Sequence, residues 1–219
     1  MTATTAATNE HRTCFAGAAR SFVDLVRHVG SADWERPALG SWDVRGLVGH
    51  ASRSFTALTQ YLGTAASDAP VEVDGPVAYY LAALGDRQDH EARRRSDTAI
   101  AERGRDAGVA LGRDPVSVVR EVALDALHVV DSTPDDARVD APVGIMTLAG
   151  YLPTRTFELT VHGLDLATAL DLATPAILGP AIASCCELAG QLAAQRSDAP
   201  DLLLLLTGRP GAARGVSVL

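Results

Sequence analysis

The stretch YLPTRTFELTVHGLDLATAL, residues 151–170, decides the fold and carries the strongest chemical pattern of the chain. Read as an α-helix at about 100° per residue, it places Arg155, Glu158, His162 and Asp165 within one arc of roughly 80°. Leucines flank this arc on one side, at positions 148, 152, 159, 166 and 170, and Phe157, Val161 and Leu164 flank it on the other. The polar stripe therefore lies in the middle of the apolar face, and the pattern predicts that its charged side chains point into the protein.

The opposite face of this predicted helix is built from small residues that tolerate water: Thr156, Thr160, Gly163 and Ala167. A polar stripe that met solvent would sit on that face, opposite the leucines. Buried charge is costly unless it is paired, hydrogen-bonded or bound to a metal ion. The inward stripe is therefore the main functional clue in the sequence.

A metal site follows from the spacing of these side chains. Glu158 and His162 are four residues apart and so are neighbours on one helix face, where a carboxylate oxygen and an imidazole nitrogen can bind one ion. A third ligand must come from another helix, and the best candidate is His50, which ends WDVRGLVGH, residues 42–50. Two histidines and one glutamate with an open position are typical of catalytic zinc. The same set also suits nickel, manganese or ferrous iron.

A purely structural interpretation stays open at this point. Glu158 can instead pair with Arg155, three residues earlier, in a salt bridge that needs no metal. Asp165 either orients a metal ligand through a hydrogen bond or bonds to a neighbouring helix. The sequence contains no phosphate-binding loop, no nucleophile elbow and no dinucleotide-binding glycine pattern.

The rest of the chain also shows mainly helical periodicity. Helices are predicted over residues 9–29, 42–62 (with Ser41 as N-cap), 76–111 and 116–130, with a further helix after Thr174-Pro175 and a buried apolar run over 202–206. No alternating strand pattern of useful length is present. We therefore predict an all-α fold, a four-helix bundle over residues 1–172 that holds the metal site, with residues 173–219 as a C-terminal helix and short tail packed on it.

Bulk composition excludes several classes of partner. The 219-residue chain has a formal net charge of -8, which argues against a nucleic-acid surface. Three cysteines, Cys14, Cys185 and Cys186, make no disulfide framework. The N-terminus lacks a signal-peptide pattern, and no apolar run approaches the ~20 residues of a membrane span. These features predict a reduced cytoplasmic protein.

Three motifs together resemble the mycothiol-dependent maleylpyruvate isomerase family. They are WDVRGLVGH at 42–50, RTFELTVHGLDLATAL at 155–170 and LLLLTGR at 203–209. The resemblance implies a DinB-like helical bundle in which His50, Glu158 and His162 bind a divalent metal, usually zinc. These are the same three residues that helix geometry selects.

The family resemblance also implies a thiol mechanism. The metal would hold mycothiol as a thiolate that attacks a small electrophilic substrate, either as a cis–trans isomerase or as an S-transferase. Arg155 and Asp165 are the catalytic candidates beside the three ligands. Arg209, with Arg214, is the C-terminal arginine available to bind an anionic substrate or the cosubstrate.

Two other functions remain as alternatives. The same metal with water in its open position would make a hydrolase. A non-catalytic bundle with an Arg155–Glu158 pair would bind a small molecule or a partner without any metal. The sequence leaves the substrate, the metal and the choice between monomer and homodimer open.

Overall fold

The computed structural model describes residues 2–85, 89–196, 198–210 and 217, and most of these residues are helical. Over this part of the chain there are eight α-helices. They are α1 (Thr2–Arg27), α2 (Val44–Tyr61), α3 (Gly75–Leu84), α4 (His90–Ala110), α5 (Pro115–Ser132), α6 (Leu148–Ala169), α7 (Gly179–Gln195) and α8 (Ala199–Leu206). A short 3-10 helix, Ala176–Leu178, precedes α7. The prediction of a mainly helical fold is confirmed.

Four of these helices form a bundle. Both α1 and α2 pack against α5 and α6, and the apolar faces of all four meet in one core. Its large, fully buried side chains include Phe22 on α1, Leu47 and Phe55 on α2, and Leu159 on α6. Burying a side chain of this size stabilises the fold by roughly 1.5–3 kcal/mol. Because α2 and α6 face each other in the bundle, they bring the predicted metal ligands together.

Two glycines let α4 pack very closely against α2. A Cβ atom added to Gly49 would lie 2.2 Å from the backbone nitrogen of Gly108, closer than any real contact. The two helix backbones therefore touch at this point, directly beside His50. This contact holds the α2 segment that carries His50 between α4 and the bundle.

A short β-hairpin precedes each of the two helices, α2 and α6, that carry the predicted metal ligands. The strand β1 (Pro37–Leu39) pairs with β2 (Trp42–Asp43), and β3 (Arg138–Ala141) pairs with β4 (Gly144–Thr147), both antiparallel. With two to four residues each, these strands are too short for an alternating pattern to be recognised in the sequence. Each hairpin is followed directly by one of these helices, because β2 continues into α2 and β4 into α6.

The residue immediately before α2 and the residue immediately before α6 each cap the helix that follows. Asp43 accepts a hydrogen bond from the backbone nitrogen of Gly46 at 2.7 Å, and Thr147 accepts one from Gly150 at 3.1 Å. Side-chain caps of this kind stabilise a helix by about 1 kcal/mol. The predicted N-cap of α2, Ser41, is wrong, because β2 occupies the next two positions and delays the helix to Val44.

The helix α6 is buried around almost its whole circumference. The small face predicted to meet water is covered: Thr156 and Thr160 are each 1 % exposed and Ala167 is 3 % exposed. The reason is that α1 packs on this face, where Leu25 approaches within 3.6 Å of the position of a Cβ on Gly163. Small side chains here allow close helix packing, so this part of the sequence prediction is wrong.

The predicted helix over residues 76–111 is two helices. The first, α3, ends at Leu84, and Gly85 then takes a left-handed φ of 61°. The second, α4, begins at His90 after Asp89, whose side chain accepts a hydrogen bond from the Ala92 nitrogen. A positive φ is accessible to glycine without steric cost and breaks helical hydrogen bonding. The separation lets α3 pack on α6 and α7 while α4 packs on α2.

The leucine-rich run at the C-terminal end is exposed, contrary to the prediction of a buried segment. It forms α8, in which Leu203, Leu205 and Leu206 are 62 %, 58 % and 73 % exposed. The cause is that α8 packs against α7 at the periphery and not against the bundle core. None of the helices in the described residues is long and apolar enough to cross a membrane.

Candidate metal centre

Side chains from two facing helices meet at the predicted site. His50 extends from α2, and Glu158 and His162 extend from adjacent turns of α6. The carboxylate Oε2 of Glu158 lies 3.4 Å from Nε2 of His162 and 4.0 Å from Nε2 of His50. One ligand atom from each of the three residues lies within 4.8 Å of the other two. The structure thus brings together all three residues that the sequence selects.

The spacing of these atoms fits a divalent ion. Two ligand atoms about 2.1 Å from one tetrahedral zinc ion are separated by about 3.4 Å. The distance from Glu158 to His162 matches this value, and the distance from Glu158 to His50 is longer, at 4.0 Å. The Nδ1 atom of His50 is buried without a hydrogen-bond partner, and its Nε2 atom is beyond hydrogen-bond range of Glu158. Buried polar atoms in native proteins are normally partnered. An ion held by Nε2 would use the side of this imidazole that faces Glu158, and Nδ1 would stay without a partner.

The electrostatics of the two histidines differ. Burial and the neighbouring His162 lower the pKa of His50 to about 4, so this imidazole is neutral at pH 7 and has a free lone pair. Burial also disfavours a charged His162, but hydrogen bonds to Asp165 and Glu158 outweigh it and raise the pKa of His162 to about 9. A metal ion must therefore displace a proton from His162 as it binds.

Glu158 is ionised at neutral pH. Burial by itself raises the pKa of this carboxyl group. Interaction with His162, the positive charge of Arg155 and the hydrogen bond from Tyr80 outweigh that effect and lower the pKa to about 2. A permanently charged carboxylate between two histidines is a suitable ligand for a hard or borderline divalent cation.

Comparison with known families gives one match, over residues 15–167. The matched family is described as the mycothiol maleylpyruvate isomerase N-terminal domain. The chain belongs to this family. The match covers α2 and α6 and so includes His50, Glu158 and His162. Searches of the curated proteins and of the solved structures found no match.

Within this member of the mycothiol maleylpyruvate isomerase family, Asp165 contacts one of the three candidate ligands. Its Oδ2 atom lies 3.0 Å from Nδ1 of His162, three residues earlier on α6. Once His162 has lost its second proton, this hydrogen bond keeps the remaining proton on Nδ1 and leaves Nε2 facing Glu158 and His50. Carboxylates commonly orient metal-binding histidines in this way.

Replacing Asp165 with asparagine is expected to weaken zinc binding about 10-fold, because the amide cannot stabilise the same histidine tautomer as strongly. Competition with a chromogenic chelator measures this loss directly. Asp125→Asn is the matched control, since Asp125 is an exposed carboxylate on α5. Equal zinc affinity in Asp165→Asn and wild type would contradict the assigned role.

Arg155 lies beside the centre but does not pair with Glu158. Its side chain is 8 % exposed, and the guanidinium lies over the rings of Tyr79 and Tyr151, 5.4 and 4.8 Å from their centroids. It donates hydrogen bonds to the Tyr79 hydroxyl and to Thr154 Oγ1, both at 3.0 Å. Among the described residues no ion pair joins Arg155 to Glu158, so the structural salt bridge of the non-catalytic interpretation is not formed.

Two aromatic residues at the centre were not predicted from the sequence. The Trp42 indole stacks on the His50 imidazole with centroids 4.5 Å apart, and its Nε1 donates a hydrogen bond to the Ala101 carbonyl at 2.9 Å. The Tyr80 hydroxyl donates to Glu158 Oε1 at 2.9 Å. Trp42 stands in the first family motif, which is a usable signal. Tyr80 has no such signal, because it reaches the centre from α3, far away in sequence.

Arg209 is not seen at the centre. Arg209 follows α8, and its guanidinium donates a hydrogen bond to the nearby Thr207 carbonyl at 3.4 Å. Arg214 lies outside the described residues. Binding of an anionic group by Arg209 therefore remains a prediction.

Proposed function

We propose that this protein is a metal-dependent enzyme that uses mycothiol as cosubstrate and acts on a small electrophile, as an S-transferase or a cis–trans isomerase. One observation carries the proposal: His50, Glu158 and His162 converge in a chain that belongs to the mycothiol maleylpyruvate isomerase N-terminal domain family. Zinc is the preferred ion, since two imidazoles and one carboxylate with an open position are typical of catalytic zinc.

The protonation states and orientations of the side chains at the centre suit a metal ion that activates a thiol. A divalent ion bound here would lower the pKa of a coordinated thiol and supply a thiolate at neutral pH. His50 is already neutral, and Asp165 holds His162 with Nε2 directed toward the centre. The buried Arg155 guanidinium helps to keep Glu158 ionised. We assign Arg209 to the anionic part of the substrate or cosubstrate.

Two outcomes are possible once the thiol sulfur attacks the electrophile. In transfer, a carbon–sulfur bond forms, and the displaced electron pair leaves with a leaving group or takes up a proton. In isomerisation, addition converts a cis double bond to a single bond, which rotates. Elimination then breaks the carbon–sulfur bond, restores a trans double bond and releases the thiol unchanged.

Mycothiol consumption is expected to distinguish these outcomes. The zinc-reconstituted protein is incubated with mycothiol and a panel of small electrophiles, and free thiol and product are measured together. One thiol consumed per product indicates transfer, whereas product formed without thiol loss indicates isomerisation. His50→Ala treated identically is the control and should lose at least 100-fold in rate, because activation of the thiol depends on the metal.

Activity that needs no thiol would contradict the proposal and favour a hydrolase. Absence of any turnover by a protein that binds no zinc would favour the non-catalytic bundle. Omitting the thiol in one arm of the assay tests the first outcome, and measuring the zinc content of the same protein tests the second.

A further inference from the structure

The two oxygens of the Glu158 carboxylate have different neighbours. Oε2 faces the two imidazoles, 3.4 Å from Nε2 of His162 and 4.0 Å from Nε2 of His50. Oε1 accepts a hydrogen bond from the Tyr80 hydroxyl at 2.9 Å. One oxygen is therefore available to the centre, while the other is held by a residue of α3.

The Tyr80 hydroxyl is well placed to hold that oxygen. It has one proton and two acceptors within reach, Glu158 Oε1 at 2.9 Å and the Thr154 carbonyl at 3.2 Å. Hydrogen bonds to a charged acceptor are shorter and stronger than those to a neutral one, so the proton goes to the carboxylate.

The Tyr80 ring is itself immobilised. It is 4 % exposed and is the buried residue of α3. The Phe157 ring packs against it with centroids 5.4 Å apart, and the Tyr79 ring contacts it edge-on at 5.3 Å. Because other rings pack on two sides of the Tyr80 ring, its hydroxyl stays in one position. A flexible or solvent-exposed donor would not be held in one position.

We propose that Tyr80 is a positioning residue that fixes the rotation of the Glu158 carboxylate, so that a single oxygen is presented beside the two histidine nitrogens. This inference rests on the proposed function, because it requires a divalent ion at the three-residue cluster. Without the hydroxyl, the carboxylate rotates about its last side-chain bond and offers either or both oxygens. Binding of the ion must then restrict that rotation, which lowers affinity.

Tyr80→Phe removes the hydroxyl and keeps the packed ring. We expect its zinc affinity to fall at least 10-fold, as measured by competition with a chromogenic chelator, since loss of such supporting hydrogen bonds typically costs 10–100-fold. The visible absorption of the cobalt(II)-loaded variant should also differ from that of wild type, because the carboxylate offers its oxygens differently. A merely structural tyrosine would not change this spectrum.

Tyr61→Phe is the matched control. Tyr61 is a half-buried tyrosine at the end of α2, and within the described part of the chain its hydroxyl forms no hydrogen bond. We expect its zinc affinity to stay within about 2-fold of wild type. Unfolding of the metal-free variants, followed in urea, shows whether either substitution disturbs the fold itself.

A second pair of variants tests the donor independently of any folding defect in Tyr80→Phe. Position 80 is replaced with 4-aminophenylalanine, which restores a donor, or with 4-methylphenylalanine, which has similar size and no donor. The amino variant should bind zinc more tightly than the methyl variant by several-fold. Equal affinities within this pair would overturn the inference.

Failure of this inference and failure of the proposed function give different results. If wild type binds zinc and Tyr80→Phe binds it equally well, the role of Tyr80 is wrong and the proposed function stands. If wild type binds neither zinc nor cobalt, the proposed function is wrong and the inference fails with it.

Discussion

Replacing His50 with alanine is expected to remove the bound divalent ion. Purified wild type should carry about one equivalent of zinc per chain, and the variant about a tenth of that or less, because Glu158 and His162 alone leave two protein ligands. Metal content is measured by mass spectrometry after reconstitution with zinc and gel filtration. The loss should be larger than that caused by Asp165→Asn, since a ligand is removed and not merely its support.

His128→Ala provides the control for this result. His128 is an exposed histidine on α5 and should have no effect on zinc content. The metal-free His50→Ala protein should stay folded but unfold at a lower urea concentration than metal-free wild type, because the stack on Trp42 is lost while Glu158 keeps its contacts with His162 and Tyr80. Undiminished zinc in His50→Ala would contradict the three-ligand centre.

Replacing Gly49 with alanine is expected to destabilise the protein severely. The added Cβ would lie 2.2 Å from the nitrogen and 2.5 Å from the Cα of Gly108, and 2.6 Å from the Ala107 carbonyl carbon. All three atoms are backbone, so no side chain can rotate away and the two helices must separate. Overpacking in a tight core typically costs about 1–3 kcal/mol, and we expect a loss of about 3 kcal/mol in the free energy of unfolding.

The same substitution should also weaken the metal centre. Separation of α4 from α2 removes the support of the Trp42 indole, which donates to the Ala101 carbonyl of α4 and lies where a Cβ on Gly104 would be 2.6 Å away. Trp42 in turn stacks on His50. Zinc affinity of Gly49→Ala, measured under conditions where the variant is folded, should therefore fall together with stability.

Gly190→Ala is the matched control for Gly49→Ala. Gly190 lies inside α7, and a Cβ added there would meet no atom within 4 Å. Alanine is a better helix former than glycine, so this variant should gain up to about 1 kcal/mol of stability. Urea unfolding of both proteins measures the difference. Similar stabilities for the two alanine variants would show that the α2–α4 contact is looser than described.

Most helices of this fold could be predicted from the sequence, but their exact boundaries and the helices they pack against could not. Apolar residues at helical spacing predicted α1, α2, α5 and α6, since that spacing directly reflects which face of a helix is buried. The break at Gly85 was missed because a single glycine is tolerated in many helices. Exposure of Leu203 was missed because an apolar run looks the same whether the core reaches it or not.

The face of α6 with Thr156 and Gly163 shows the same limit. Small residues suit a solvent-facing helix surface, and they also suit a face against which another helix packs closely. Local sequence does not distinguish these two settings. Only the approach of Leu25 and Phe22 on α1 decides that this face is buried.

The sequence by itself determined the three candidate ligands. Spacing of four residues puts Glu158 and His162 on one face of one helix, and the inward direction of that face follows from its leucine neighbours. His50 was selected as the third ligand because it lies at the edge of the apolar face of the second predicted helix, and the family motif that ends at His50 agrees with this choice. These features depend on local periodicity, which the chain carries in its order of residues.

Tertiary structure alone decided what surrounds those ligands. Tyr80 lies 78 residues from Glu158, yet its hydroxyl holds one carboxylate oxygen. Trp42 orients His50 through a stack that depends on the position of α4. Contacts of this kind arise from the packing of helices that are distant in sequence, and no local pattern records which side chains will meet.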